Sequence, residues 1–264
     1  MKCCQISGAA KRTARDFFGV FPLIELRNKV RHPLRTSRLY MVERTESRRL
    51  ILLLGGLVKG DIVTIIPTYR RARLLRDAVE SALQQRVGSL RHQVLVVDDG
   101  GGQVADFADP RVTTVALSRN TGAAGVVRNI GLRISRSPFV ALLDDDNRWL
   151  PNHLATSIGA LQAGADLAYT GMRRIRSDGT PIDELAVPFD RRALRERAFV
   201  DSSTMSLRRR RWTWFSRVPR SRQTIPGEDW DFVYRLSRRG NVVHVPEITV
   251  EYLVHSGSYF TEWD

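Results

Sequence analysis

Short apolar runs that alternate with amphipathic stretches limit most strongly what this chain can fold into. Residues 62–66 read Ile-Val-Thr-Ile-Ile and are closed by Pro67, a pattern typical of a buried parallel strand. Residues 73–85 then repeat their apolar side chains at helical spacing, so that these side chains share one face. The alternation continues with predicted strands at 94–97, 112–117, 139–143, 167–170, 242–245 and 248–254, and with predicted helices at 123–134, 153–163 and 229–239.

This order of elements predicts the fold class. Apolar strands joined by helices form an α/β fold with a doubly wound, mostly parallel sheet flanked by helices. In such sheets ligands bind beyond the carboxyl ends of the strands. Acidic residues stand at two of these ends, in the pair Asp98 and Asp99 and in the run 144–146. We therefore expect the functional site at this edge of the sheet.

The strongest chemical signal is the contiguous run of Asp144, Asp145 and Asp146. Three adjacent carboxylates repel one another unless a cation or solvent compensates. A divalent ion such as Mn²⁺ or Mg²⁺ bound to a diphosphate would offset this repulsion, because hard cations bind carboxylate and phosphate oxygens together. Taken alone, a solvated acidic turn explains the run equally well.

Three further segments carry weaker signals. The glycine-rich turn 98–102 either brings the backbone close to a ligand or only reverses the chain. Residues 120–129 open a helix and include Arg128, which suits phosphate, although close helix packing also explains the small residues. Asp229 follows Gly-Glu at a predicted helix start, where it is either a favourable charge or a general base.

The charge of the chain is concentrated near its N-terminus. The net charge is +14, and residues 1–60 hold 13 Lys and Arg against 4 Asp and Glu. We divide the chain into a basic, poorly ordered N-terminal extension at 1–58 and an α/β catalytic domain at 59–264. The alternative for the extension is an arm that binds a membrane surface or a partner. Charge alone does not choose among nucleic acid, anionic lipid and phosphorylated molecules.

The cysteine and hydropathy patterns bear on the compartment. Cys3 and Cys4 are adjacent, which leaves no long-range disulfide within the chain and favours a reducing compartment. The apolar run 50–58 is far shorter than the roughly 20 residues that span a bilayer. No signal-peptide pattern is found near the start. The sequence thus predicts a cytoplasmic protein, with peripheral membrane contact through its basic N-terminus.

Five motifs, in order, resemble glycosyltransferase family 2, the inverting enzymes of the GT-A fold. The resemblance covers about residues 61–257. Each motif falls at the strand end or helix start that the fold requires. The motifs are Val63-Thr-Ile-Ile-Pro-Thr-Tyr69, Val96-Val-Asp-Asp-Gly, Asn120-x-Gly with Arg128-Asn-x-Gly131, Leu143-Asp-Asp-Asp-x-x-Trp149-x-Pro151, and Gly227-Glu-Asp.

The resemblance implies how the nucleotide is bound. Thr68 and Tyr69 would contact the base, with the Tyr69 ring available for stacking. Asp99, with Asp98 beside it, would bind the base or the ribose. Arg128 would assist at the diphosphate. The turn after the second strand reads Asp-Asp-Gly-Gly-Gly where the family more often has Gly-Ser, so its side-chain hydrogen bonds depart from the pattern.

The resemblance also implies the metal and the base. The family's Asp-x-Asp motif maps to Asp144 and Asp146, which would hold a divalent ion on the diphosphate, and Asp145 stands in the variable place beside the donor. His255 resembles a histidine found near the metal. Asp229 would be the catalytic base.

The expected activity is inverting transfer of a sugar from a nucleoside-diphosphate sugar to an acceptor hydroxyl. The acceptor would be a carbohydrate, a lipid-linked sugar or a small molecule. A run of arginines and aromatic residues at 208–215 precedes the expected base, where family members receive the acceptor. A solvated basic face explains this run equally well.

Three rival functions stay open. A sugar nucleotidyltransferase needs a glycine-rich phosphate loop after the first strand, and Pro67-Thr-Tyr-Arg-Arg contains no glycine. A basic nucleic-acid-binding module leaves the ordered aspartates unexplained, because carboxylates repel phosphates. The third rival is a catalytically inactive relative with the GT-A fold.

Overall fold

The computed structural model describes residues 26–27, 30–102, 106–219 and 227–255. Within these ranges the strands form one sheet in the order β3-β2-β1-β4-β8-β6-β9-β5, with β7 paired to β6. The four strands of the first half are mutually parallel where they pair. They are β1 (Ile62–Thr68), β2 (His92–Asp98), β3 (Val112–Ala116) and β4 (Phe139–Leu142).

Both faces of this parallel half are buried. Val63 and Ile65 of β1 pack into one apolar cluster, whereas Ile62 and Ile66 pack into the cluster on the opposite face. Strand side chains alternate between faces, so a strand covered on both sides must be apolar at successive positions. This requirement explains the continuous apolar runs in the sequence.

Helices cover the two faces. One face carries α2 (Ala72–Leu83) and α4 (His153–Gln162), and the other carries α3 (Ala124–Ile134). In α2 the residues Leu75 and Val79 are four apart and fully buried, as its helical spacing predicted. The predicted α/β class, a doubly wound sheet flanked by helices, is confirmed.

The second half of the sheet mixes strand directions. Strand β8 is antiparallel to its neighbours β4 and β6, whereas β6 and β9 are parallel. The sequence predicted two closing strands, but the structure has one long strand, β9. Its register against β6 shifts between Thr170 and Gly171, where Pro246 and Glu247 are left without a partner in β6. Proline lacks the N–H that a ladder needs, so the strand bulges there and continues. The elements are β5 (Arg148–Trp149), β6 (Leu167–Ile175), β7 (Pro181–Leu185), β8 (Met205–Arg208), β9 (Val242–Leu253) and α5 (Glu228–Ser237).

A long helix, α1 (Pro33–Leu53), lies against α3 and was not predicted. Its inward face combines Leu39, Val42 and Leu50 with the buried acids Glu43 and Glu46. This mixture hides the hydrophobic period that identifies a helix. The division of the chain at residue 58 stays a prediction. Residues 1–25 and 28–29 lie outside the described part of the chain.

Glu43 fastens α1 to the α/β domain. Its carboxylate is fully buried and accepts hydrogen bonds from Arg133 Nε at 2.7 Å, Arg217 Nη2 at 2.6 Å and Asn129 Nδ2 at 2.9 Å. Glu46 ties the next turn of α1 to Ser118, whose backbone N–H lies 3.1 Å from Glu46 Oε2. Burial disfavours the Glu46 carboxylate, but bonds from Ser118 and Arg49 outweigh this effect and lower its pKa. The helix is therefore held by charged hydrogen bonds as well as by the apolar packing of Leu39 and Leu50.

None of the helices in the described ranges has the length and hydropathy needed to cross a bilayer.

We predict that Glu43→Ala lowers the free energy of unfolding by about 3 kcal/mol, because Arg133 and Arg217 lose their shared buried partner. Urea denaturation at neutral pH measures this change. The matched control is Glu184→Ala, which breaks an exposed pair with Arg173 and should cost under about 1 kcal/mol. Equal costs for the two variants would contradict the role given to Glu43.

Candidate active site

A cleft of about 500 Å³ opens at the carboxyl ends of the parallel strands. It is bounded by the ends of β1 and β4, the start of α3 and the start of α5. This is the edge at which the sequence predicted a ligand site. The lining residues from the predicted motifs are Thr68, Tyr69, Asp99, Arg128, Asp144, Asp145, Asp146 and Asp229.

The two aspartates after β2 hold the loops beside the cleft. Asp98 does not line the cleft, because its carboxylate accepts bonds from the backbone N–H groups of Gly101 at 3.0 Å and Gly102 at 2.9 Å. Asp99 lines the cleft and accepts from the backbone N–H of Thr121 at 2.8 Å. Burial, only partly offset by such bonds, raises the pKa of Asp99.

The glycine turn after β2 has a steric cause. Gly100 has a φ of 74°, and a Cβ there would lie 2.5 Å from the Arg119 carbonyl carbon. Side chains do not fit such a position. The glycines therefore let the 119–122 loop close against the strand end.

The strand end of β1 is tied to the acidic run. Thr68 Oγ1 donates to Asp145 Oδ2 at 2.7 Å. Arg71, at the start of α2, donates to Asp145 at 3.1 Å and to Asp146 at 2.6 Å. Tyr69 keeps 39% of its surface exposed at the cleft, with the Arg70 guanidinium 5.1 Å from its ring centroid.

The three adjacent aspartates have different environments. Asp145 is buried, and burial raises its pKa to about 6 despite the opposing bonds from Thr68 and Arg71. Asp146 Oδ2 lies 3.0 Å from His255 Nε2 as well as near Arg71. Asp144 instead pairs with Arg128 and accepts a bond from Ser202 Oγ at 2.8 Å.

Arg128 joins three parts of the cleft. Its side chain is 3% exposed, and its guanidinium contacts Asp144, Glu228 at 3.0 Å and Ser202 at 3.0 Å. Burial opposes its charge, but Asp144 and Glu228 more than compensate and raise its pKa. Arg128 Nε is buried and has no hydrogen-bond partner among the described residues, so within this part of the chain one donor is left over in the network. The expectation that Arg128 assists at a diphosphate stays a prediction, since its guanidinium is engaged with carboxylates here.

The small residues of α3 have both of the roles considered for them. A Cβ at Gly131 would lie 2.7 Å from Ile65 Cγ2, so this glycine allows close packing of helix on strand. Gly125 lines the cleft, and a Cβ there would lie 3.1 Å from Phe215 Cβ. The start of α3 thus faces the cleft, whereas its later turns pack on the sheet.

Asp229 sits at the start of α5, at the cleft. Burial raises its pKa to about 7, and repulsion by Glu228 and Asp144 acts in the same direction. The Trp230 backbone N–H, 2.7 Å from Asp229 Oδ1, and the charge of Arg128 partly offset this rise. A carboxylate with a pKa near neutrality can accept a proton far more readily than an ordinary one.

The segment 201–203 is a part of the site that sequence reasoning missed. Asp201 is buried and begins a short 3₁₀ helix, accepting from the Ser203 backbone N–H at 2.8 Å. Burial, together with Asp144 and Asp229, raises the pKa of Asp201 well above its ordinary value. Ser202 and Ser203 bind Asp144 and Asn147. The signal that was available is an Asp followed by Ser-Ser-Thr, a helix-capping pattern.

The described cleft is strongly acidic. Seven carboxylates line it, but only two arginines, Arg71 and Arg128. Among the described residues no group of three or more His, Cys, Asp or Glu side chains is placed so that it could hold a metal ion. Asp146 and His255 nevertheless offer an oxygen and a nitrogen 3.0 Å apart, a pair that fits one divalent ion if substrate phosphates supply the other ligands.

Two arginines of the run before α5 bind carbonyl groups of the domain. Arg209 donates to the Leu132 carbonyl at 2.7 Å and to the Ser137 carbonyl at 2.8 Å, near the end of α3. Arg208 donates to the Leu161 carbonyl and Arg210 to Asp166. None of these three residues lines the described cleft. Arg208 and Arg209 thus bind carbonyls of the fold, whereas Arg210 and Arg211 are exposed, so the solvated basic face considered from sequence fits these two.

Comparison with known proteins identifies the family. The model of "Glycosyl transferase family 2" matches residues 63–215, more than half of the chain. The chain belongs to glycosyl transferase family 2. The resemblance drawn from the five motifs is thereby confirmed.

Named relatives of this family 2 chain include a succinoglycan biosynthesis protein and a glucosyltransferase. It is 35% identical to "Succinoglycan biosynthesis protein ExoO" of Rhizobium meliloti (strain 1021) over 125 residues, which cover 45% of this chain and 35% of ExoO. It is 29% identical to the "UDP-Glc:alpha-D-GlcNAc-diphosphoundecaprenol beta-1,3-glucosyltransferase WfgD" of Escherichia coli over 102 residues, 37% of this chain and 39% of WfgD. The chain thus spans little more than a third of the length of these two relatives.

A solved structure supports the fold. The crystal structure of S. aureus TarS 1–349 in complex with UDP-GlcNAc matches with a TM-score of 0.58 and 16% identity, covering 77% of this chain and 62% of TarS 1–349. At this identity the match speaks for the shared fold.

We predict that Asp229→Asn raises the free energy of unfolding relative to the parent at pH 8. The folded state raises the pKa of Asp229 to about 7, so ionising this group costs folding free energy. The advantage of Asn should be absent below about pH 4, grow up to about pH 7 and stay constant above. Urea denaturation across this range measures it. If the gain in unfolding free energy from Asn is independent of pH, the raised pKa given to the buried Asp229 carboxylate is contradicted.

Proposed function

We propose that this chain is an inverting, metal-assisted glycosyltransferase with Asp229 as its base. It would move a sugar from a nucleoside-diphosphate sugar to an acceptor hydroxyl. The observation that supports this proposal most directly is that one cleft contains both the three aspartates after β4 and Asp229, whose pKa is raised to about 7. Family membership makes glycosyl transfer the reaction class to test.

The nucleotide would lie between the ends of β1 and β2. Tyr69 is exposed there for stacking on a base, and Asp99 faces the same cleft. Each Asp99 oxygen accepts one backbone bond, and a carboxylate oxygen can accept two. A ribose hydroxyl or a base N–H can therefore still bind Asp99. TarS 1–349, which shares the fold, forms a complex with UDP-GlcNAc, so UDP-sugars are the first donors to try.

The diphosphate requires extra positive charge. Seven cleft carboxylates against two arginines would repel it. Asp146 and His255 would hold a divalent ion, with Asp144 on the neighbouring side of the strand end. Once bound, the ion would offset the charge that develops on the leaving diphosphate. Arg71 would have to release Asp146 Oδ2, and it could then pair with phosphate oxygens.

Asp229 would remove the proton from the acceptor hydroxyl. The acceptor oxygen would attack the anomeric carbon from the face opposite the diphosphate, so that the configuration inverts. Arg128 would hold the Glu228 and Asp144 carboxylates in place beside this base. Burial, together with Asp144 and Asp229, raises the pKa of Asp201, which favours its neutral form and limits the negative charge beside Asp229.

The acceptor would be a lipid-linked or polymeric saccharide. The WfgD name specifies a sugar on diphosphoundecaprenol, and the ExoO name specifies succinoglycan biosynthesis. A lipid-linked acceptor would place the enzyme at the cytoplasmic face of a membrane, in peripheral contact through its basic N-terminal region. Nucleic acid is a poorer partner, because the described cleft is acidic and Arg208 and Arg209 bind within the fold.

We predict metal-dependent release of nucleoside diphosphate from one member of a panel of UDP-, GDP- and dTDP-sugars with Mn²⁺ or Mg²⁺. Asp146→Ala should lose most of the metal dependence, and Asp229→Asn should lower turnover at least about 100-fold. Coupled detection of the released nucleotide measures both effects.

The matched control for these two variants is Asp178→Asn. Asp178 is exposed in a turn and does not line the cleft. It should turn over like the parent. Turnover that survives both site variants, or that needs no divalent ion, would contradict the proposed mechanism.

A further inference from the structure

We propose that the outward face of α1 docks on an anionic membrane surface. This proposal specifies which surface makes the membrane contact included in the proposed function, and it rests on that function for its biological setting. Its physical basis is the separation of charges across α1, which lies outside the cleft.

The two acids of α1 face inward and its arginines face outward. Glu43 and Glu46 are the only acidic residues in 33–53, and both are buried. Arg49 is paired with Glu46. The exposed part of the helix therefore carries guanidinium groups and no carboxylate. The exposed arginines are Arg35, Arg38, Arg44 and Arg48.

Apolar side chains lie among these arginines. Leu34 is 86% exposed, Met41 58% and Leu52 81%. Their spacings of seven and eleven residues correspond to about two and three helical turns, so the three side chains lie along one line of the helix. Burying large apolar side chains is favourable, and here nothing among the described residues covers them.

A bilayer interface satisfies both kinds of side chain. Leu34, Met41 and Leu52 can enter the boundary of the acyl chains while the arginines reach lipid phosphates. Nucleic acid would attract the arginines but offers no apolar phase to the leucines. Anionic lipid is thus the partner whose chemistry matches the whole face.

The helix is fixed relative to the cleft. Arg217, bonded to Glu43 of α1, stands between Ser216 and Val218, which line the cleft. A membrane-docked α1 would therefore be rigidly connected to one wall of the cleft. A lipid-linked acceptor could then be presented without the enzyme leaving the surface.

The test is flotation of the full chain with phosphatidylcholine vesicles that contain or lack phosphatidylglycerol. One variant combines Arg38→Glu, Arg44→Glu and Arg48→Glu, and a second combines Leu34→Ser, Met41→Ser and Leu52→Ser. The matched control combines Arg176→Glu, Arg238→Glu and Arg239→Glu, which make the same charge change at exposed sites outside α1.

The parent and the control should bind only the vesicles with phosphatidylglycerol, and added salt should weaken this binding. Both α1 variants should bind at least about tenfold more weakly. Thermal melting checks that each variant folds. Donor hydrolysis is assayed separately without vesicles, so that a failure of the proposed function is distinguished from a failure of membrane docking.

Three results would overturn the docking proposal. The first is absence of vesicle binding by the folded parent. The second is equal loss in the control, which would indicate a dependence on total charge alone. The third is that the parent binds duplex DNA but not vesicles, while the arginine variant loses DNA binding and the apolar-to-serine variant keeps it. That result would assign the face to nucleic acid.

Discussion

The guanidinium of Arg128 is the interaction on which the cleft depends. It is buried between Asp144 at the end of β4, Glu228 at the start of α5 and Ser202 in the segment between β7 and β8. These groups come from distant parts of the sequence, and their negative charges would otherwise repel one another. Arg128 offsets this repulsion where solvent is largely excluded. The cleft can therefore keep Asp229 close to other carboxylates.

The parallel half of the sheet supplies the geometry that Arg128 completes. Parallel strands end at the same edge, so the residues after β1, β2 and β4 meet there without any special loop. The apolar clusters on both faces fix the strands, and α3 presents Arg128 from its second turn. Glu43 adds a second charged junction on the opposite side of α3, through Asn129 and Arg133. Two networks of ions and hydrogen bonds thus hold α3 between α1 and the cleft.

Much of this arrangement follows from the sequence, because the spacing of apolar residues in helices and strands and the motifs at the strand ends are local signals. The predicted elements from β1 to α4 begin and end within two residues of their predicted limits, whereas β6, which follows them, is longer than predicted. The position of Asp99, Asp144 to Asp146 and Asp229 around one cleft follows from the fold class. Helix α1 was missed because acids occupy its buried face, where their partners are distant in sequence. The partners of Arg71 and the carbonyl partners of Arg208 and Arg209 were missed for the same reason: a contact formed across the fold leaves no local pattern.

We propose that Arg128 keeps the pKa of Asp229, the proposed base, lower than burial and the charge of Glu228 alone would make it. The most direct measurement is the pH dependence of donor turnover in the parent, in Arg128→Met and in Arg128→Lys. The charge of Arg128 lowers the pKa of Asp229, which lies at about 7. Removing that charge in Arg128→Met should move the rising limb of the profile to higher pH, and Arg128→Lys should restore most of the shift. If both variants lose turnover equally at every pH and the rising limb of the pH profile keeps its position, the role given to Arg128 is contradicted.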